Sequence, residues 1–301
     1  MIESELARYP LADRVKRIVL DIHRREKQLS DDERLLIGSP GYTASDPNVV
    51  ADAVTALALG KNVLLKGPTG SGKTKLAELL SHLFQQPMHM INCSVDLDAE
   101  ALLGHKTLGS DGEGHSRIDF VPGPVEKAMK RGHFLYIDEI NMARADTLPI
   151  LNGVLDYRRT VHNPFTAETV RASEGFAVIA AINEGYIGTT PLNEALKNRF
   201  VVIDVPYLQG DALKALLRRQ SSLQDDALLD RFVALSRDLI SKARDGQIAE
   251  EGASIRSLLD ACDLAAFMSP LRAIRRAIAD KLDDERERAA VLTIAETLFD
   301  S

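Results

Sequence analysis

The 301-residue chain has no tryptophan, 5% aromatic residues and only two cysteines. Cys93 and Cys262 lie far apart, and neither has a histidine or second cysteine at metal-ligand spacing, which excludes a zinc module and a disulfide-stapled scaffold. They read as buried small apolar residues of a reducing compartment. Basic charge is also short. Lys and Arg number 37 against 44 Asp and Glu, a net charge of −7, and no insertion is basic or rich in aromatics. That balance argues against a surface built to neutralise a phosphate backbone or stack bases. No apolar run reaches the roughly 18 residues of a membrane span. The opening Met1-Ile2-Glu3-Ser4-Glu5 is acidic and lacks a signal-peptide core, so a cytoplasmic location is expected. There is no internal repeat and no low-complexity tract.

What is present is a phosphate-binding pattern. Val63-Leu64-Leu65 leads into Lys66-Gly67-Pro68-Thr69-Gly70-Ser71-Gly72-Lys73-Thr74, and a helical run, Lys75 to Leu80, follows. The spacing from Gly67 through Gly72-Lys73-Thr74 is that of a Walker A loop, set between strand and helix as the motif requires. Glycines at 67, 70 and 72 let successive N–H groups turn inward toward phosphate oxygens, and the helix start adds its positive end. Lys73 would reach the β- and γ-phosphates, and Thr74 would hold magnesium.

Around this loop, four further short apolar runs, Met88 to Ile91, Phe134 to Ile137, Phe176 to Ile182 and Phe200 to Val205, alternate with helical or loop sequence. Apolar on both faces, they predict a buried parallel sheet of the α/β class. Before it, Leu11, Val15, Ile18, Val19 and Ile22 fall at helical spacing, Ser30 and Glu33 form a capping box opening a short helix to Gly38, and Asp46-Pro47 opens a helix running to Leu59. After Pro206 only amphipathic helical patterns are evident, at 211–219, 225–245 and 254–267. The expected division is therefore a helical extension over 1–40, a nucleotide domain over 41–206 and a helical domain over 207–301.

Three strand ends carry chemistry. The run His133 to Ile137 finishes in Asp138-Glu139. Consecutive side chains there point to different sides, so Asp138 can hold the metal while Glu139 orients the attacking water. Ala180-Ala181-Ile182 finishes in Asn183, whose amide could bond both the γ-phosphate and that water. Leu196-Lys197-Asn198-Arg199 places an always-charged guanidinium before the fifth strand, where it could reach an adjacent subunit's nucleotide.

Taken in order, the segments from Leu65 to Thr74, Phe120 to Pro124, Asp138 to Asn141, Asn183-Glu184, Leu192 to Ala195 and Arg199-Phe200 resemble those of AAA+ ATPases of the MoxR group, closest to the CbbQ/NorQ-like (AAA_5) branch. Similarity is strong over about 42–206 and weaker beyond. The resemblance implies a P-loop αβα domain of five strands, a C-terminal all-α lid, and a hexameric ring with ATP and Mg2+ at each subunit junction. It makes Asn183 the first sensor, Arg199 the trans-acting arginine finger, and Arg256, in Ser254-Ile255-Arg256, the second sensor. The segment 96–124 matches an insertion that is often a hairpin or loop facing pore or client; its acidic, Gly-rich middle, 109–114, suggests a mobile tip, flanked by exposed His105 and His115. Met142 stands where many members have Arg, with Arg144 one turn on, and the first 40 residues match no family module.

The function so implied is an ATP- and magnesium-dependent ring ATPase acting as a chaperone or activase on a client complex, with a von Willebrand factor A domain protein as partner. A slow nucleotide-dependent switch or scaffold is the alternative from another class, and a nucleic-acid motor is disfavoured by the acidic balance.

Overall fold

The computed structural model describes residues 2–24, 29–93, 97–110, 115–183 and 192–299. Nine strands occur among them: β1 (Asn62–Gly67), β2 (Met88–Asn92), β3 (Gly104–Ser110), β4 (Ser116–Pro122), β5 (Phe134–Asp138), β6 (Thr160–Asn163), β7 (Glu168–Arg171), β8 (Ala177–Asn183) and β9 (Phe200–Asp204). Five of these form one parallel sheet in the order β2-β5-β8-β1-β9. They are the five apolar runs of the sequence.

Alternation along each strand divides the sheet's two faces. Val63, Leu65, Tyr136, Ile179 and Ala181 join one buried cluster with the helices Asp13–Arg24, Pro47–Ala58 and Lys73–Phe84. Leu64, Leu135, Ile137, Val178 and Ala180 join another with Ala99–Leu103, Pro124–Arg131 and Leu148–Leu155. The result is a three-layered P-loop α/β fold whose strands are apolar on both sides because helices cover both.

The N-terminal helices belong to the first of these clusters. Val15 and Val19 are buried in it, the His23 ring bonds the Leu83 carbonyl at 2.6 Å, and the Gly38 N–H donates to Ser81 Oγ at 2.9 Å. The Ser30–Glu33 capping box forms, but its helix, Asp31–Leu35, ends before Gly38. A Cβ on Gly38 would lie 2.4 Å from the Glu78 carbonyl oxygen, so it is glycine that lets the chain pass against that backbone. Asp46 caps the next helix by accepting from the Asn48 N–H at 2.9 Å.

Two antiparallel hairpins lie outside the main sheet. The insertion folds as β3–β4, with Gly104 opposite Pro122 and Ser110 opposite Ser116. His105 and His115 are exposed, while 111–114, the heart of the anticipated acidic tip, lies outside the described residues. The β6–β7 hairpin was not anticipated. Each of its strands has four residues and a single buried valine, Val161 opposite Val170, too little alternation to mark a strand.

Beyond Pro206 the described chain is helical: Gly210–Gln220, Asp226–Arg244, Ile255–Ala265, Pro270–Ala277 and Glu285–Phe299, with short 3-10 turns at Glu250–Ala253 and Ala279–Lys281. The last two helices were not singled out in the sequence. Tyr207, Phe232, Leu235, Leu258 and Ile274 form a third cluster, separate from those on the sheet. Cys93 and Cys262 are free and buried, and burial pushes both thiols up to about 12. No helix among the described residues is long and apolar enough to cross a membrane.

Candidate nucleotide site

Parallel pairing brings the predicted residues together at the carboxyl end of the sheet. Gly67, the last residue of β1, is in register with Asn183, the last of β8, and β5 beside β8 ends in Asp138. A cleft of about 490 Å3 opens there, lined by Gly70 to Thr74, Asp138, Glu139 and Asn183 on the sheet side, by Tyr42 and its neighbours, and by Ser254 to Arg256 of the helical domain.

The loop conformation is one that only glycine accommodates readily. Gly70 and Gly72 have φ of +75° and +93°, and a Cβ on Gly67 would lie 2.2 Å from the Val205 carbonyl oxygen. Gly72 ends the loop at the start of the Lys73–Phe84 helix, whose first N–H groups are not capped by its side chain. Ser71 Oγ is buried with no hydrogen-bond partner. A loop bent at glycines, a helix N-terminus and an orphaned hydroxyl together suit an anion such as a triphosphate.

Lys73 is 7% exposed, and its ammonium donates to the carbonyls of Gly67 at 2.9 Å and Pro68 at 2.7 Å. Burial lowers it to about 8, against the opposing pull of Asp138, Glu250 and Glu139. The site therefore holds a cation poorly compensated by solvent and ready for anionic oxygens.

Thr74 Oγ1 and the Tyr136 phenol are 3.2 Å apart, and the Tyr136 hydroxyl, raised by burial, also bonds Asp138. This buried tyrosine ties together the two residues that would hold magnesium. Glu139 stands at φ 51°, a strained setting for a side chain other than Gly, with its N–H donating to Asp138 Oδ1 at 3.1 Å. Its own carboxylate accepts from Asn183 Nδ2 at 3.1 Å. The donors present thus fit a magnesium nucleotide: Thr74 and Asp138 for the ion, Lys73 for the outer phosphates, Glu139 for water, and Asn183 to hold Glu139. Magnesium, held by Thr74 and Asp138, would supply positive charge to offset that of the phosphates.

The two predicted arginines differ in position. Arg256 lines the same cleft from the helical domain and is exposed. Arg199 sits at the amino end of the sheet, where Phe200 is in register with Asn62, the first residue of β1. At 3.3 Å per residue, that is roughly 16 Å along the strand from Gly67, more than an arginine side chain spans. Its guanidinium bonds the Ala195 carbonyl and lines a second cleft, of about 770 Å3, with Lys61, Asp156 and Tyr157. Glu184 lies outside the described residues. Met142 is half exposed, and Arg144 pairs with Asp146 at 3.2 Å instead of turning to the cleft.

Sequence reasoning missed four contributors. Tyr136 carried a faint signal, a polar-tipped residue inside an apolar strand two positions before Asp138. Tyr42, whose ring lies 3.3 Å from where a Gly72 Cβ would be and whose phenol burial pushes up to about 12, carried none. Nor did Tyr207 and Glu250, which reach the loop from beyond residue 206.

Comparison with known proteins agrees with this geometry. The family model "AAA domain (dynein-related subfamily)" matches residues 62–200. The chain is 64% identical over 276 residues to the uncharacterized protein YojN of Bacillus subtilis (strain 168), covering 92% of this chain and 90% of that one. It is 59% identical over 258 residues to the uncharacterized protein SAOUHSC_01413 of Staphylococcus aureus (strain NCTC 8325), covering 86% and 98%. Among solved structures, a Thermotoga maritima RuvB mutant superposes with a TM-score of 0.50 at 17% identity, over 82% of this chain and 72% of that one, a likeness of fold alone. AAA+ proteins of this kind in general bind ATP with magnesium and hydrolyse it. With its phosphate loop, paired carboxylates and sheet order, the chain belongs to the AAA+ ATPase family, of the dynein-related AAA_5 type.

Proposed function

We propose that the protein is a MoxR-type ring ATPase that hydrolyses magnesium-bound ATP at subunit junctions, six to a ring, and uses the cycle to remodel or mature a client complex with a von Willebrand factor A domain partner. The observation that carries the ring is the position of Arg199. It lies at the opposite end of the sheet from its own Lys73, Asp138 and Glu139, so a role at a nucleotide would have to be at a neighbour's site. Within one subunit Lys73 holds the outer phosphates, Thr74 and Asp138 the metal, and Glu139 takes the proton of the attacking water. Across the junction, Arg199 would stabilise charge developing on the transferred phosphoryl group. The client and adaptor roles rest on the family resemblance of the 65–200 motifs.

The test is subunit mixing. Arg199→Ala and Lys73→Ala proteins should each hydrolyse ATP poorly alone, and mixtures shown by native mass spectrometry to co-assemble should recover activity at junctions pairing an intact Lys73 with an intact Arg199. Co-assembled mixtures without recovery would remove the trans role. ATP-dependent assembly with negligible wild-type turnover would replace the motor by a nucleotide switch. The client role is checked separately, by testing whether a candidate von Willebrand factor A domain protein binds the ATP-loaded ring and changes its turnover.

A further inference from the structure

The helical domain grips one residue of the phosphate loop from two directions. Thr69 N–H donates to Glu250 Oε2 at 3.1 Å, and the Tyr207 hydroxyl donates to the Thr69 carbonyl at 3.0 Å. Beside it, Gly70 lies so close to the lid that a Cβ there would come 2.5 Å from Ser254 Cβ. The lid turn from 250 to 254 therefore rests directly on the residues that cradle phosphate.

That turn is tied firmly to the rest of the lid. The Ala249 N–H donates to Glu287 Oε2 at 3.0 Å, which links its base to the helix Glu285–Phe299. Ser254 caps the helix Ile255–Ala265 by accepting from the Ser257 N–H at 3.2 Å, and Lys281 reaches Ser257 Oγ at 3.3 Å. A shift at Glu250 would carry these helices with it. Arg256 stands one turn further on, at the cleft.

The chemistry of the grip is unusual for its place. A neutral amide or hydroxyl could also accept from the Thr69 N–H, more weakly but without a charge beside the phosphates. Yet Glu250 brings a half-buried negative charge into the field of Lys73, where anionic phosphates are to bind, with Glu251 adding a second charge of the same sign. Burial raises the Glu250 carboxyl while Lys73 and the Thr69 N–H pull it down. Each additional phosphate charge beside the loop makes the carboxylate less tolerable there.

We propose that Glu250 is a phosphate-charge sensor. It fastens the lid to the phosphate loop through Thr69, and it yields when the charge of a triphosphate fills the cradle, so that the lid follows the charge state of the bound nucleotide. The assignment rests on the ATP site proposed above and adds to it the route by which that site moves the lid.

The experiment uses the full-length protein, a non-hydrolysable ATP analogue and ADP, with hydrogen exchange read at 67–72 and 250–256. Glu250→Gln keeps an acceptor for Thr69 and removes the charge, Glu250→Ala removes both, and Tyr207→Phe removes only the second grip. In nucleotide-free wild type the Thr69 amide should be protected; Glu250→Gln should preserve that protection and Glu250→Ala should lose it. In wild type the analogue should increase exchange at 250–254 more than ADP does. In Glu250→Gln that difference should vanish, and affinity for the analogue should tighten on the order of tenfold, with ADP affinity changing about threefold or less. Tyr207→Phe should loosen the loop without altering the preference between the two nucleotides. Equal effects of Glu250→Gln on both nucleotides, or wild-type lid exchange indifferent to the γ-phosphate, would make Glu250 a structural support and overturn the sensor while leaving the ATPase intact. A wild type that binds neither nucleotide overturns both.

Discussion

The two ends of the central sheet are built on different plans. At the carboxyl end, Gly67, Asp138 and Asn183 finish adjacent strands, and their side chains and successors bond one another: Lys73 to the loop carbonyls, Thr74 to Tyr136, Asn183 to Glu139. At the amino end, Arg199 lines an open cleft with Lys61, Asp156 and Tyr157. One end is a site that closes on itself. The other carries a cation too far along the strands to reach that site. In the proposed ring these two ends would meet head to tail at each junction.

The contrast can be broken most severely at Lys73. Lys73→Ala should abolish measurable binding of a fluorescent ATP analogue in equilibrium titration, and with it turnover, because the remaining loop amides lack the charge that meets the outer phosphates. If binding survives, the carboxyl end is misassigned. Arg199→Ala should instead leave the dissociation constant within several-fold while turnover falls by roughly a thousandfold. Steady-state kinetics beside equilibrium titration separates the two, and a loss of affinity equal to the loss of turnover would erase the distinction between the ends.

Glu139→Gln probes the chemistry within the carboxyl end. The amide keeps the size of the side chain and a bond with Asn183 but cannot take the proton of water, so turnover should drop by about a hundredfold or more with ATP still bound. Single-turnover assays on the preformed complex would show it.

Affinity should also depend on pH, and only through the carboxyl end. With Lys73 lowered to about 8 by burial, part of the free protein carries a neutral amine above that pH, whereas bound phosphate favours the ammonium. Binding then takes up a proton, so ATP affinity should be flat below about pH 7 and weaken above 8, by up to about tenfold per unit. Isothermal titration in two buffers of different ionisation enthalpy would reveal the proton taken up at pH 8.5, and no uptake would contradict the lowered lysine. The smallest effect is expected at Tyr136→Phe. Thr74 and Asp138 keep their places but lose their shared partner, and the magnesium concentration for half-maximal ATP binding should rise about three- to tenfold.

How much of this was legible beforehand follows from how local each feature is. The phosphate loop could be read because its glycines, lysine and threonine act within eight consecutive residues. The capping box at Ser30 and the cap at Asp46 could be read for the same reason. The β6–β7 hairpin escaped because Val161 and Val170 become a pair only across a turn, and the need for glycine at 38 comes from the backbone of Glu78, forty residues away.

By itself the sequence determined the chemistry available: an α/β chain with apolar strands, a Walker A loop, an Asp138-Glu139 pair, an Asn at one strand end and an Arg before another. Local spacing suffices for that, since each motif's function depends on neighbours a few residues away. Tertiary structure alone decided which groups meet. Parallel register set Gly67 beside Asn183 and sent Arg199 to the far end, and the fold of the lid laid Glu250 and Tyr207 on Thr69 across more than a hundred residues of chain. Such contacts depend on how whole layers pack, and packing is a property of the assembled cores rather than of any segment within them.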